Sequence, residues 1–226
     1  MFDGRFRATA EKGLAPIGAN LQRTGLKADH LTAFGVVMAV GAAIAIGGGA
    51  LRLGLVLLVL TAVPDVLDGA VAKASGTASP RGAFFDSVCD RLTDALLLGG
   101  VAWFLASRHP GRIAVLPMAV LGLSMLISYE RAKAESLGFD ARGGLMERAE
   151  RLIALGFGLL FSQLLIPLLW VMGALTAATA VQRFVKVWRQ ASARKPVPPV
   201  SERWRGRRAA RTTERSWRRR ASSTRR

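Results

Sequence analysis

The sequence predicts an all-α integral membrane protein: six transmembrane helices preceded by an N-terminal amphipathic surface helix. Three observations predict it. Hydrophobic residues make up 51% of the 226 positions while charged residues reach 21%, and the two are segregated into long apolar runs with charged ends and loops. The formal net charge is +17, but residues 191–226 hold 13 Lys/Arg against two Glu, so +11 of it lies there and +6 in the first 190 residues. A soluble nucleic-acid-binding domain is thereby excluded for the body of the chain. The single cysteine, Cys89, excludes an intramolecular disulfide and a cysteine-only zinc site, and two histidines, His30 and His109, cannot build a histidine-rich metal centre.

Taken in order, residues 1–25 place Arg5, Arg7, Lys12 and Arg23 among Phe2, Phe6, Leu14, Ile17 and Leu21 at helical spacing. That pattern predicts an amphipathic juxtamembrane helix lying on the membrane surface. No short apolar core with a small-residue cleavage site follows the charges, so a signal peptide is not expected. The transmembrane domain is expected over 26–190. Its spans are predicted at about 31–50, 51–74, 82–106, 112–134, 152–165 and 166–187, the last two parted by the short stretch 162–167. With the N-terminus in the cytoplasm, the outer loops hold Arg52, Arg108 and Arg112, and every other basic cluster falls inside. The bias predicts a multi-pass protein of the cell membrane with both termini cytoplasmic. Residues 191–226, with Pro196, Pro198, Pro199 and repeated arginines, predict a disordered Arg-rich cytoplasmic tail. Trp188, Trp204 and Trp217 among those arginines suit anionic membrane lipids as the partner, rather than nucleic acid.

Acidic residues inside apolar spans are costly and mark function. Asp65 and Asp68 are three apart near the end of the second span; Asp86 and Asp90 are four apart early in the third. Each pair lies on one helical face, and antiparallel spans joined near Gly76 and Pro80 bring both pairs to one depth. Converging carboxylates repel unless neutralised, and an all-oxygen set favours Mg²⁺ or Mn²⁺. A structural network with Lys73, Arg81 and Arg91 is one alternative, and a cation or proton pathway of a metal-coupled transporter is another. Gly69, Ala72 and Gly82 keep the backbone around the acids approachable, and a two-metal site suits displacement at phosphorus.

Written out, residues 65–90 read Asp-x2-Asp-Gly-x2-Ala-Lys-x8-Gly-x3-Asp-x3-Asp. This resembles the signature of the CDP-alcohol phosphotransferase family, with Lys73 where that pattern has Arg. The resemblance extends over about residues 1–190. It implies that Asp65, Asp68, Asp86 and Asp90 bind two divalent ions, with Asp90 also the base toward the acceptor hydroxyl. It implies that Gly69, Ala72, Lys73, Ser79 and Gly82 line the CDP-lipid pocket. The stretch Asp29, His30, Leu31 and Thr32 looks like the loop that closes over the nucleotide. The implied reaction transfers a phosphatidyl group from CDP-diacylglycerol to an alcohol and releases CMP. Lysine at 73 keeps the charge without the bidentate fork of arginine. A homodimer is expected through the resemblance.

Ser128-Tyr129-Glu130-Arg131, Glu147-Arg148-Ala149-Glu150-Arg151 and Arg183 lie on the same side as the aspartates. Their basic excess suits an acceptor that already carries phosphate. Ser-Tyr-x2-Ala-x-Ala-Glu, Glu-Arg-x-Glu-Arg and Cys-Asp-Arg-x2-Asp are similar to the actinobacterial phosphatidylinositol phosphate synthases of that family. That similarity implies inositol 1-phosphate as acceptor, held by Ser128, Arg131, Arg148, Arg151 and Arg183. Glycerol 3-phosphate, giving phosphatidylglycerol phosphate, is the alternative acceptor.

Overall fold

A computed structural model of the chain describes residues 28–62 and 79–193. The expected surface helix at 1–25, the residues Asp65, Asp68, Gly69, Ala72 and Lys73, and the tail beyond 193 lie outside the described residues. The chain divides into two compact units, Met1–Val187 and Trp188–Arg226, and of the second the described residues 188–193 are the end of a helix.

The described residues are helical, without strands. Helix α1 is Ala28–Gly47. It ends where Gly49, at φ +88°, enters the left-handed region. The Ala50 N–H then donates to Ala45 O at 2.8 Å and the Gly49 N–H to Ile46 O at 2.9 Å, the paired closing bonds of a glycine C-cap. Helix α2, described over Leu51–Ala62, turns back along α1, with Gly41 against Leu57 and Gly54 against Ile46. Helix α3 is Pro80–Arg108. Ser79 starts it, its Oγ accepting from the Gly82 N–H at 3.1 Å, and Pro80 takes the first-turn position where a missing N–H costs nothing.

Helix α4 is Val115–Ser136, closed by Gly138 at φ +75° with Phe139 N–H donating to Ala134 O at 2.9 Å. Helix α5 is Arg148–Leu160, begun by a reciprocal capping box between Glu147 and Glu150. A 3₁₀ turn, Ser162–Leu164, leads into α6, Leu165–Ala193.

Helices α1 and α3 run parallel and touch backbone to backbone: a Cβ on Gly100 would lie 2.7 Å from Ala43 O, and Gly47 packs on the Trp103 ring. Close approach through small residues is how helices associate in lipid, where apolar burial alone supplies little. Helices α1, α3 and α5 begin at one end of the bundle, and α2, α4 and α6 at the other. Ala42, Ile46, Leu58, Leu97, Val101, Val120, Leu155, Leu159, Leu169 and Met172 form the shared core.

The surface is apolar where a soluble protein's would be polar, and the mainly apolar interior also buries polar groups. Val37, Ile44, Trp170 and Val181 are about 60% exposed, while Thr93, Asp94, Ser124, Arg151, Thr176, Thr179 and Arg183 are buried. Buried hydroxyls return their protons to the helix, as in Ser124 Oγ to Val120 O at 2.8 Å and Thr176 Oγ1 to Met172 O at 2.7 Å. An apolar exterior with satisfied internal polar groups is the condition for stability in a bilayer. Among the described residues, three helices are long and apolar enough to span one, Asp29–Gly47, Val115–Ser136 and Ser162–Ala193. The chain is a membrane protein.

Several expected boundaries shift. The first helix begins at Ala28 and stops at Gly47, three residues earlier at each end than expected, because the Gly48–Gly49 cap ends it. Asp29, His30, Leu31 and Thr32, expected as a loop, are instead its first turn, where Asp29 suits the positive end of the helix dipole. The third and sixth helices extend to Pro80–Arg108 and Leu165–Ala193, and the fourth shifts to Val115–Ser136. The fifth, expected at 152–165, is a 13-residue helix. It rises about 20 Å, short of a hydrocarbon core of roughly 30 Å.

Candidate active site

The first half of α3 carries a ladder of acids. Asp86, Asp90 and Asp94 are each four residues apart, so they line one face over two turns. Asp94, deepest in the bundle, is 4% exposed. A buried carboxylate is tolerable when it is paired and hydrogen-bonded, and α5 supplies the partners. Arg151 Nη2 donates to Asp94 Oδ2 at 2.7 Å, while Arg148 Nε lies 3.6 Å from Asp94 Oδ1. Arg148 also reaches Asp90, its Nη1 lying 2.8 Å from Oδ1, and Arg91 Nη2 stands 3.6 Å from the other Asp90 oxygen. Two arginines three apart on α5 therefore mesh with two aspartates four apart on α3. Asp86, half-buried, continues the ladder toward the end where α1 and α3 begin.

A second set of polar ties fixes α5 against α4 and α6. Arg183 is buried, and three of its guanidinium nitrogens are occupied. Nη1 donates to Ile127 O at 2.9 Å, Nε to Gly143 O at 3.0 Å and Nη2 to Glu147 Oε1 at 3.0 Å. One residue thus holds α4, the connecting loop and the N-cap of α5. Lys186 adds Asp140 Oδ2 at 2.7 Å and Arg142 O at 2.9 Å. Hydrogen bonds from Lys186 and the Arg142 N–H hold the Asp140 carboxyl below its ordinary range.

The expected acceptor residues therefore divide. Arg148 and Arg151 come together with Asp90 and Asp94. Arg183 is tied into the framework, and Ser128 Oγ donates back to Ser124 O at 2.8 Å. Arg131 is exposed and pairs along its own helix with Glu135 at 3.0 Å, an arrangement worth little by itself. Of the expected nucleotide residues, Ser79, Gly82 and Asp29 meet where α1 and α3 begin. Asp29 lies 3.6 Å from Arg81, and a Cβ on Gly82 would sit 3.4 Å from Ser79 Oγ and 3.8 Å from Asp29 Oδ1. Thr32 is buried and His30 exposed on the same first turn.

Outside the expected site set, Arg91, Asp94, Glu147 and Thr179 also belong to this region. Asp94 was legible as one more step of the four-residue spacing, and Glu147 as the opening of a capping box with Glu150. Thr179, in an apolar stretch of α6, carries no such signal. Among the described residues no cluster of three metal-ligating side chains occurs. Asp86 and Asp90 are the described half of the expected tetrad.

The described residues thus form a helical membrane protein whose α3 and α5 are joined by a ladder of acids and arginines. The model of the CDP-alcohol phosphatidyltransferase family matches residues 26–188, and the chain belongs to that family. It is thus a transferase, which sets aside the metal-coupled transporter. The chain is 35% identical to the archaetidylinositol phosphate synthase of Methanothermobacter thermautotrophicus, over 82% of this chain and 94% of that protein. It is 36% identical to the phosphatidylinositol phosphate synthase of Mycobacteroides abscessus, over 78% and 84%. Its fold is similar to the crystal structure of Mycobacterium tuberculosis phosphatidylinositol phosphate synthase with CDP-DAG bound, at TM-score 0.74 and 31% identity, covering 81% of this chain and 98% of that one. The same enzyme in complex with manganese and citrate matches at TM-score 0.73 and 29% identity, over 81% and 93%.

Proposed function

We propose that the protein transfers the phosphatidyl group of CDP-diacylglycerol to inositol 1-phosphate, forming phosphatidylinositol phosphate and CMP. The observation that carries this reading is the 2.8 Å contact between Arg148 and Asp90. It puts a cation suited to a phosphate-bearing acceptor against the carboxylate suited to take that acceptor's hydroxyl proton. The similar proteins support the acceptor: their names differ in the lipid, archaetidyl or phosphatidyl, and share inositol phosphate. The similar structure with CDP-DAG supports the donor.

The chain's own part in the reaction follows. Arg148, with Arg131 toward the aqueous side, binds the acceptor phosphate and leaves the attacking hydroxyl beside Asp90. Asp90 accepts that proton as the new P–O bond forms and the P–O bond to CMP breaks. Asp29, His30, Leu31, Thr32, Ser79 and Gly82, where α1 and α3 begin, receive the nucleotide together with Gly69, Ala72 and Lys73.

Asp86 and Asp90, carboxylates one turn apart, fit a hard divalent cation, and with Asp65 and Asp68 they would hold two Mg²⁺ or Mn²⁺ ions. The ions would supply neutralisation of the diphosphate and of the charge growing on CMP. A similar structure in complex with manganese supports the metal class.

Six spans, the short fifth accommodated by local thinning of the bilayer, a catalytic domain over 26–190, a surface helix at 1–25 and cytoplasmic termini complete the reading. In this arrangement acyl chains stay in the bilayer while nucleotide and acceptor arrive from the cytoplasm. The tail at 191–226 meets anionic lipid, with no nucleic acid as partner, and the protein works as a homodimer.

The test is CMP release by purified protein with CDP-diacylglycerol and Mn²⁺ or Mg²⁺, comparing inositol 1-phosphate, glycerol 3-phosphate and free inositol. Release with inositol 1-phosphate alone is expected. Release with glycerol 3-phosphate alone overturns the acceptor and makes the protein a phosphatidylglycerol phosphate synthase.

A further inference from the structure

We propose that Thr179 is a positioning residue for the acceptor: its hydroxyl sets the strap at 143–147 and so the place at which Arg148 meets Asp90. The inference rests on the phosphate-acceptor reading above and deepens it. Thr179 is fully buried in α6. Its Oγ1 donates to Leu175 O at 2.8 Å and accepts from the backbone N–H groups of Leu145 at 3.1 Å and Met146 at 3.0 Å. A threonine hydroxyl has one proton and two lone pairs, and all three are used.

The two N–H groups stand immediately before Glu147, the N-cap of α5, and Arg148 is the first residue of that helix. Gly144 is pressed so closely on Thr179 that a Cβ there would overlap Thr179 Cγ2. The same face of α6 continues with Arg183 on Gly143 O and Lys186 on Arg142 O. Positions 179, 183 and 186 thus grip the strap in succession, and Thr179 grips it next to Arg148. Without that hydroxyl the Met146 N–H, which is buried, would be left without an acceptor, so the strap must move to satisfy it. The movement is passed to Arg148 through two covalently linked residues. Displacement of a substrate-holding group by about 1 Å can cost up to 100-fold in rate.

Substitution separates this role from packing. Thr179→Val keeps the volume and removes both lone pairs, whereas Thr179→Ser keeps the hydroxyl and loses a methyl. Positioning predicts that Val raises the acceptor KM about tenfold and that Ser stays within about twofold of wild type. The CDP-diacylglycerol KM should be unchanged in both; Mn²⁺ affinity, measured by electron paramagnetic resonance without substrates, should rise in Val, where Arg148 is drawn off Asp90, and stay at the wild-type value in Ser. Packing predicts the reverse order, with Val tolerated better than Ser.

Gly144→Ala, which pushes the strap off Thr179 without altering α6, should give the same acceptor-selective rise. It carries the test if the Val variant does not fold. An unchanged acceptor KM in a folded variant, equal rises for both substrates, or failure of both variants to fold overturns the proposal. Wild type is assayed first with inositol 1-phosphate and glycerol 3-phosphate, and the variants are read with the one it uses. A wrong acceptor therefore appears in wild type, and a wrong role for Thr179 appears in the variants alone.

Discussion

Arg148 Nη1 lies 2.8 Å from Asp90 Oδ1, so the first residue of α5 neutralises the carboxylate assigned to proton transfer. A guanidinium can exchange a carboxylate for a phosphate with little change in geometry, because its planar donors fit both. Arg148 and Arg91 therefore hold the Asp90 carboxylate in place before substrates arrive.

Asp90→Asn keeps the shape of the side chain and removes both the proton acceptor and one anionic oxygen. Turnover in the CMP-release assay should fall to background while the protein extracts and elutes as wild type does. Full activity in this variant would remove Asp90 from the chemistry.

Arg148→Gln removes a cation from Asp90 and from the acceptor. The acceptor KM should rise about tenfold or more, as expected for loss of a charge-assisted contact, with the CDP-diacylglycerol KM little changed. Mn²⁺ binding in the absence of substrates should be tighter than in wild type, since Arg148 competes for Asp90. Weaker Mn²⁺ binding would show that Arg148 supports the carboxylate's geometry instead of competing for it.

Arg151 is expected to matter for stability more than for substrate. Its partner Asp94 is buried at 2.7 Å, and breaking a buried pair on one side costs about 3–5 kcal/mol, whereas replacing both members by apolar groups costs less. Thermal unfolding in detergent should show Arg151→Leu well below wild type and the double variant Asp94→Leu/Arg151→Leu partly restored. Equal losses in the single and double variants would contradict the pairing.

Asp140 gives the sign of an acid dependence. Its folded-state pKa is depressed, chiefly by the Lys186 hydrogen bond. The tie therefore contributes stability that is full above the ordinary aspartate range and is lost as pH falls through the lower folded value. Thermal midpoints measured on acidification should fall more steeply for wild type than for Lys186→Met. Parallel curves would mean that the tie does not form in solution.

Much of this was legible because membrane helices expose their chemistry in linear sequence. A long apolar run predicts a helix, and an aspartate inside one has few structural reasons to be there, so Asp86 and Asp90 stood out by spacing alone. Arg148 and Arg151 were visible as basic residues on the correct side. Their partners were not, since pairing with Asp90 and Asp94 depends on how α5 lies against α3. Arg183 shows the limit most clearly. The sequence marks it as an acceptor ligand, and only the fold shows that its guanidinium also reaches Ile127 O, Gly143 O and Glu147.

By itself, the sequence determined the helical class, the separation of apolar body from basic tail, and the acidic face of α3, because each depends on residues close together in the chain. Helix ends moved by a few residues where Gly49 and Gly138 closed them. Tertiary structure alone decided which arginine meets which aspartate, that α5 is a 13-residue helix, and that Thr179 holds the strap before it. Those contacts join residues 33 to 58 positions apart. Their cause is the low dielectric of a packed bundle, where a buried charge or N–H is costly unless a neighbouring element supplies its partner.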